Sequence, residues 1–144
     1  IVRGGVRTNV VPDFAEAEID VRVARLRDAA ALERKFRALR PADRRCRIEA
    51  EGGLNRPPME RTRAIAALFR AAQKIAREQL GLDLQESSTG GGSDGNFTAA
   101  LGVPTLDGLG AAGEGAHAPH ESVFTAPAPA RIALLACLVR HLGQ

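Results

Sequence analysis

Residues 113–124, GEGAHAPHESVF, contain two of the three histidines of the chain and a glutamate. Imidazole nitrogens and carboxylate oxygens are common ligands of zinc in proteins. His117 and Glu121 are four residues apart, as in a metalloprotease helix, but Pro119 and the preceding glycines oppose a helix here. We therefore expect any metal ligand in this segment to lie on a loop and to need partners from elsewhere.

The other candidate metal ligands are scattered along the chain. A structural zinc site needs four ligands, and a catalytic site needs at least three and a water. His141 ends the last predicted helix, where the helix dipole stabilises a protonated imidazole. Cys46 and Cys137 are far apart and outside any CxxC pair, so we expect reduced structural thiols. We expect no complete metal site, and no tightly bound metal, in these 144 residues alone.

The segment TGGGSDGNF, residues 89–97, is the second stretch that could do chemistry. Its consecutive glycines, including Gly91 and Gly92, expose backbone N–H groups and allow a substrate to approach closely. Ser93 and Asp94 then begin a predicted helix whose N-terminus attracts anions. A phosphate-binding loop is disfavoured because the Walker lysine is missing and GGGSDG does not match GxGxxG. A tight strand-to-helix turn without a binding role remains an alternative.

Arg56 lies in the third stretch, NRPP, at residues 55–58. A guanidinium on a loop stiffened by prolines is well suited to bind a carboxylate through two parallel hydrogen bonds. Most arginines in an arginine-rich chain are solvated, so Arg56 becomes informative only together with the other two stretches.

Composition indicates a folded protein without an obvious polyanionic or membrane partner. Apolar residues make up 44% of the chain and charged residues 26%, values typical of globular domains. The net charge of +3 comes largely from arginines within residues 34–47, which are interleaved with acids and lack nearby aromatics, so nucleic-acid binding is not expected. No apolar run approaches the roughly 20 residues of a membrane span. The chain begins with Ile1 inside a predicted strand, which suggests a piece of a longer protein.

The elements that must position these residues differ between the two halves of the chain. Residues 14–23 and 45–51 alternate between apolar and polar side chains, which predicts two half-buried strands. Between them, Asp28 can cap a helix that is predicted to run to about Leu39 and to be ended by Pro41. The first half is therefore predicted to be a small α+β layer, and the glycines and prolines of residues 52–60 indicate a boundary.

The second half is predicted to alternate helices and strands. Thr62 can cap an amphipathic helix that runs to Leu80, with Gly81 after its end. The elements predicted to follow are a strand at 82–87, a short helix at 94–101, a strand at 103–109 and a final, mostly buried helix begun by Pro127 and Pro129.

The motifs NVVP, DVR, NRPP, GGGSD, GVPTLDGLG and HxxHE follow one another in an order that resembles the C-terminal portion of a known zinc metallopeptidase family. This is the family of carboxypeptidase G, which includes acetylornithine deacetylase, succinyl-diaminopimelate desuccinylase and the aminoacylases. The resemblance extends from Gly4 to the final helix. It implies an α/β fold, with residues 1–56 as the second half of an α+β lid that also dimerises, and residues 57–144 as the end of an α/β catalytic domain.

The resemblance also implies roles for individual residues. His117 matches the last metal ligand of the family, and Arg56 matches the arginine that binds the free carboxylate of the substrate. Asn9 of NVVP matches a lid asparagine that reaches the substrate, and Arg22 of DVR is a less direct match to a substrate-binding residue. A loop that lines the substrate pocket is matched by Gly91, Gly92 and Ser93. The family usually has Asp or Asn where this chain has His120, which leaves the role of position 120 open.

The function implied is that of a co-catalytic enzyme with two zinc ions, or cobalt or manganese, that cleaves an amide next to a carboxylate. The remaining ligands and the general-base glutamate are expected in an N-terminal half whose motifs this sequence lacks. This chain alone is therefore expected to be inactive, with an acyl amino acid or peptide as substrate of the parent enzyme and a homodimer formed through the lid. The compartment is not fixed by the sequence, although the cytoplasm is favoured. The alternative is a non-enzymatic dimerisation or binding module, which an upstream sequence without the expected metal-binding motifs would support.

Overall fold

The computed structural model describes residues 1–142, which form four helices and two small antiparallel sheets. This mixture is consistent with the predicted α/β class. The elements in chain order are β1 (Val2–Gly4), β2 (Ala15–Ala17), α1 (Leu26–Arg37), α2 (Arg63–Leu80), α3 (Gly95–Ala100), β3 (Gly113–Glu114), β4 (Ser122–Val123) and α4 (Ala128–Leu142).

The first sheet contains only β1 and β2, which pair with Val2 opposite Ala17 and Gly4 opposite Ala15. The strand predicted at 14–23 was therefore too long, since β2 covers Ala15–Ala17 and the backbone hydrogen bonds to the first segment end at Glu18, which pairs with Ile1. The strand predicted at 45–51 was wrong, because that segment pairs with no other in the described part of the chain. Alternating side chains fit a strand, but a strand also needs a hydrogen-bonding neighbour, and Ile19 and Ile48 remain exposed.

Helix α1 begins at Leu26 with Arg25 as its N-cap, three residues before the predicted cap Asp28. The backbone N–H of Leu26 donates to the Glu60 side chain at 2.9 Å, so an acceptor 34 residues away satisfies an N–H of the first turn. Asp28 instead lies in that first turn, where its charge complements the helix dipole. The helix ends at Arg37, shortly before the predicted stop at Pro41.

Helix α2 has the predicted bounds because both of its ends are specified locally. The Thr62 hydroxyl accepts from the Ile65 N–H at 3.2 Å, and Gly81 adopts a left-handed conformation with φ of 63°. The backbone N–H of Leu82 then bonds the carbonyl of Ala76 at 3.1 Å, closing the helix as a glycine C-cap does.

The core lies between α2 and α4. Its buried residues are Ala72 and Ala76 from α2 and Leu134 and Leu138 from α4. Alanines on one helix let the leucines of the other pack closely. Partly buried side chains that pack against this cluster are Ile75, Leu80, Leu82, Leu84, Leu106 and Leu109.

Three predictions for this half were wrong. Residues 82–87 and 103–109 contribute apolar side chains to the core but do not pair as strands. The final helix is also less buried than predicted, since Ile132 is 68% exposed and Val139 is 73% exposed. Among the described residues, no helix combines the length and apolar character needed to cross a membrane.

Candidate functional site

The glycine-rich loop, residues 89–94, is held by hydrogen bonds to its own side chains. The Gly91 N–H donates to the Thr89 hydroxyl at 3.2 Å, and the Gly95 N–H donates to the Ser93 hydroxyl at 3.0 Å. The helix predicted at 94–101 is present as α3, and Asp94 is its N-cap, but the Asp94 side chain makes no capping hydrogen bond. The carboxylate of Asp94 therefore projects into solvent, with its side chain 99% exposed.

Arg56 lies against this loop and the first turn of α3. Its guanidinium carbon is 4.9 Å from the centroid of the Phe97 ring, within the range of a cation–π contact. Its Nη1 is 3.8 Å from Oδ1 of Asp94, a loose ion pair in which the arginine side chain keeps 39% of its surface exposed. The aromatic face orients the guanidinium while part of its donor edge stays accessible.

Gly92 provides the space for the Arg56 side chain. A Cβ atom at position 92 would lie 2.9 Å from the Cδ of Arg56, closer than carbon atoms pack. The sequence pointed to this glycine for close approach of a substrate, and the structure shows that an arginine stem is the group in contact. The predicted pocket-lining role of Gly91, Gly92 and Ser93 stays a prediction.

Asn96 and Phe97 are the residues of this cluster that sequence reasoning missed. The Asn96 side chain accepts from the Ser93 N–H at 2.9 Å and donates to the Pro57 carbonyl at 2.7 Å. The bond to Ser93 is local, and a side chain that bonds the backbone N–H three positions earlier is common at helix starts, although the capping box itself has Glu or Gln at that position. The bond to Pro57 had no such signal, because its two residues are 39 positions apart.

Arg22 reaches the same loop from the first half of the chain. Its Nη1 donates to the Gly90 carbonyl at 2.8 Å, while Asp20 holds the opposite side of the guanidinium at 3.2 Å. Arg22 and Arg56 therefore both contact one short loop, and two guanidinium groups favour a bound carboxylate there.

Asn9 is not joined to this cluster. It lies in the exposed connection between β1 and β2, and within residues 1–142 no hydrogen bond links its side chain to the glycine-rich loop or to either arginine. Its predicted contact with substrate stays a prediction.

The histidine loop, residues 115–121, connects β3 to β4. It is not helical, as predicted. Turn hydrogen bonds run from Ala118 N–H to the Gly115 carbonyl at 2.8 Å and from Glu121 N–H to the Ala118 carbonyl at 3.0 Å. His117 has φ of 67°, a left-handed conformation that costs energy for a residue other than glycine. The Glu121 carboxylate accepts from the His117 N–H at 3.2 Å, and this bond helps to hold the unusual backbone.

The two loop histidines have different surroundings. The His117 side chain is exposed, which leaves its imidazole accessible to a metal. The His120 ring packs over Gly115, where a Cβ atom would lie 2.7 Å from the ring Cδ2. A surface hollow of about 270 Å³ adjoins the hairpin and is lined in part by Glu114 and Glu121, not by His117.

The potential metal ligands among the described residues are not grouped into a site. No group of three or more His, Cys, Asp or Glu residues within residues 1–142 is placed to hold an ion. His117 could supply one imidazole, which does not fit even the minimum ligand set of a zinc centre. The Nδ1 of His141 is hydrogen-bonded to the Cys137 carbonyl at 2.8 Å. Histidine side chains near the C-terminus of a helix commonly bond its last carbonyls.

The sequence is similar to known proteins along nearly its whole length. The family model described as Peptidase family M20/M25/M40 matches residues 3–141. Among curated proteins, Carboxypeptidase G2 of Pseudomonas sp. (strain RS-16) is 29% identical over 148 residues, which cover 99% of this chain and 35% of the relative. The chain thus spans about a third of the length of the curated relative that it matches. No solved structure matches the chain significantly.

Proposed function

Since the chain belongs to Peptidase family M20/M25/M40, as its motif order indicated, we propose that it is part of a metal-dependent hydrolase that cleaves an amide bond next to a free carboxylate. The observation that carries this proposal is that the side chains of Arg56 and Arg22 both contact one glycine-rich loop. A carboxypeptidase or an N-acyl amino acid deacylase must recognise a terminal carboxylate, and the name of the relative, Carboxypeptidase G2, fits this class of substrate.

Arg56 is the proposed carboxylate-binding residue. Its partner Asp94 is 3.8 Å away and almost fully exposed, so a substrate carboxylate can replace it at little cost. The Phe97 ring holds the guanidinium plane, and a preoriented fork loses less side-chain entropy when it forms two parallel hydrogen bonds. Arg22, Asn9 and the residues Gly91, Gly92 and Ser93 are proposed to complete the substrate-binding surface.

His117 is proposed as one metal ligand of the intact enzyme. The other ligands and the general-base glutamate are proposed to lie outside this chain, because the described residues hold no group of ligands that could form a site. We propose two zinc ions, with cobalt or manganese as alternatives. A bound metal of this kind supplies a water of lowered pKa and polarises a carbonyl. By itself this chain is proposed to be inactive.

The proposal is tested by kinetics of the full-length protein that contains this chain. N-acetyl amino acids, dipeptides and their C-terminal amides are assayed with and without a chelator. We expect hydrolysis that the chelator abolishes, a preference for free carboxylates over amides, and loss of that preference in Arg56→Ala. Arg56→Lys keeps the charge without the planar fork and should retain only part of the preference. Hydrolysis that is absent or insensitive to the chelator would contradict the proposed reaction.

A further inference from the structure

Asn96 connects the two segments that form the proposed carboxylate site. Its side-chain oxygen accepts from the Ser93 N–H at 2.9 Å, and its amide nitrogen donates to the Pro57 carbonyl at 2.7 Å. The orientation of the amide is fixed by this chemistry, since a backbone N–H can only donate and a carbonyl can only accept. Both hydrogen bonds are partly buried, where an unpaired backbone group is costly.

One end of this bridge adjoins Arg56 itself, and the other adjoins a residue that contacts Arg56. Pro57 directly follows Arg56 in the chain, and Ser93 directly follows Gly92, whose Cα faces the arginine stem. Phe97, the aromatic platform of the guanidinium, directly follows Asn96 on α3. The side-chain amide of Asn96 therefore links the chain segment of Arg56 to the glycine-rich loop, directly beside the Phe97 ring.

We propose that Asn96 is a positioning residue that sets the guanidinium of Arg56 for the substrate carboxylate, without touching the substrate itself. The proposal rests on the proposed function of Arg56 in binding that carboxylate. Because a displacement of about 1 Å can cost a large part of an oriented interaction, loss of the bridge should weaken carboxylate binding more than it slows the reaction.

Two substitutions at position 96 distinguish the contributions of the two hydrogen bonds. Asn96→Ala removes both hydrogen bonds. Asn96→Asp is nearly isosteric and keeps the acceptor for Ser93 but has no donor for the Pro57 carbonyl. Thr98→Ala is the matched control, because the Thr98 hydroxyl lies on the same helix and its hydrogen bonds go to Gly95 and Thr105, outside the Asn96 bridge.

The experiment uses the full-length protein and the best-cleaved member of a panel of N-acetyl amino acids and dipeptides. KM and kcat are compared with those of its C-terminal amide, measured as a competitive inhibitor where its turnover is too slow. We expect Asn96→Ala to raise KM for the carboxylate substrate by roughly tenfold, the scale of one oriented hydrogen-bonded contact, with little change in kcat or in binding of the amide. Asn96→Asp should give a smaller rise in KM, and Thr98→Ala none.

Combination with Arg56→Ala distinguishes positioning from general loss of structure. If Asn96 acts through Arg56, Asn96→Ala should have no further effect in the Arg56→Ala protein. A full additional rise in KM in that background, or an equal effect on the carboxylate and amide compounds, would overturn the positioning role. If Arg56→Ala abolishes the carboxylate preference while both Asn96 variants retain it, only this inference fails. If Arg56→Ala retains the preference, the proposed role of Arg56 fails and the inference fails with it.

Discussion

At the scale of single residues, His117 combines an unfavourable backbone with an exposed imidazole. Its φ of 67° is in a region that non-glycine residues enter rarely, and Glu121 stabilises it through the backbone N–H. Such strain is often found where a side chain must be presented in one direction. The geometry agrees with a ligand role, and that role stays a prediction because it needs partners from outside the chain.

We predict that His117→Ala in the full-length protein removes most of the hydrolytic activity and lowers the bound metal, because one imidazole ligand is lost. His120→Asp is the matched variant on the same loop. It introduces the residue that the family usually has there and should be mild, since the His120 ring only packs over Gly115. Activity and metal content, measured by elemental analysis, check both variants. The isolated chain should contain no stoichiometric zinc, and full activity of His117→Ala would refute the ligand assignment.

At the scale of elements, the helices were predictable and most strands were not. The helix α2 carries its own start and stop in Thr62 and Gly81, so local sequence decides its bounds. The segments at 45–51, 82–87 and 103–109 have suitable apolar residues but no strand partner among residues 1–142. Whether such a segment pairs as a strand depends on segments that are distant in the sequence, which a local pattern does not reveal.

The candidate site shows the same division between local and distant information. The glycine-rich loop and Arg56 could be singled out by residue type, since glycine permits close approach and arginine binds carboxylates. The contact between these two segments through Phe97 and Asn96 could not be predicted, because the segments are about 40 positions apart in the chain and meet only after folding.

The glycine after α2 gives a stability prediction. Gly81 has φ of 63° and open space where a Cβ atom would lie, so Gly81→Ala should destabilise by about 1 kcal/mol through backbone strain alone. Gly110→Ala is the matched control, because that position also has open space but not a positive φ, and it should be neutral or slightly stabilising. Urea unfolding followed by circular dichroism measures both. Equal effects of the two substitutions would show that the left-handed conformation at Gly81 is not the cause.

An ion pair beside α2 gives a pH-dependent prediction. The Arg61 guanidinium, bonded to Glu86 at 2.9 Å, holds the pKa of the Glu86 carboxyl below its usual value of 4.5. A carboxylate whose pKa is lowered by folding stabilises the fold above the unfolded pKa and loses that contribution as the pH falls through the folded pKa. Glu86→Gln should therefore lower the melting temperature slightly at pH 7 and have no effect at pH 2.

Arg61→Gln is the matched partner in a double-mutant cycle with Glu86→Gln. Since both side chains are largely exposed, the coupling should be small, weakened by salt, and absent at low pH. Thermal unfolding at pH 7 and pH 2, in low and high salt, measures it. A coupling that persists at pH 2 would show that the two side chains interact through packing and not through charge.

At the scale of the whole molecule, much more surface is exposed than a compact protein of this mass has. The accessible surface is 11947 Å², whereas a compact monomer of 15.2 kDa is expected to expose about 7,100 Å². The buried core consists of side chains from only two helices. The remaining apolar surface is therefore available to another polypeptide.

Helix α4 presents the clearest of these surfaces. Its outer stripe consists of Ile132, Leu135, Val139 and Leu142, which are exposed and recur at helical spacing. The adjoining face carries Leu134 and Leu138, which are buried against α2. The strands β1 and β2 form a sheet of only two strands, so each also has an outer edge without a strand neighbour.

We predict that the isolated chain associates with a second copy of itself into a dimer or larger species, because a second copy carries the same apolar stripe and strand edges. Sedimentation velocity over a range of concentrations should show a mass above that of the monomer. Ile132→Glu combined with Val139→Glu should shift the distribution towards monomer, since both side chains lie on the stripe and neither belongs to the core. The matched control Arg131→Gln with Arg140→Gln lowers the net charge by the same amount on the same helix without removing apolar side chains and should shift it less. A monomer at every concentration would contradict the prediction, and equal effects of the two pairs would show that charge, not apolar contact, controls the association.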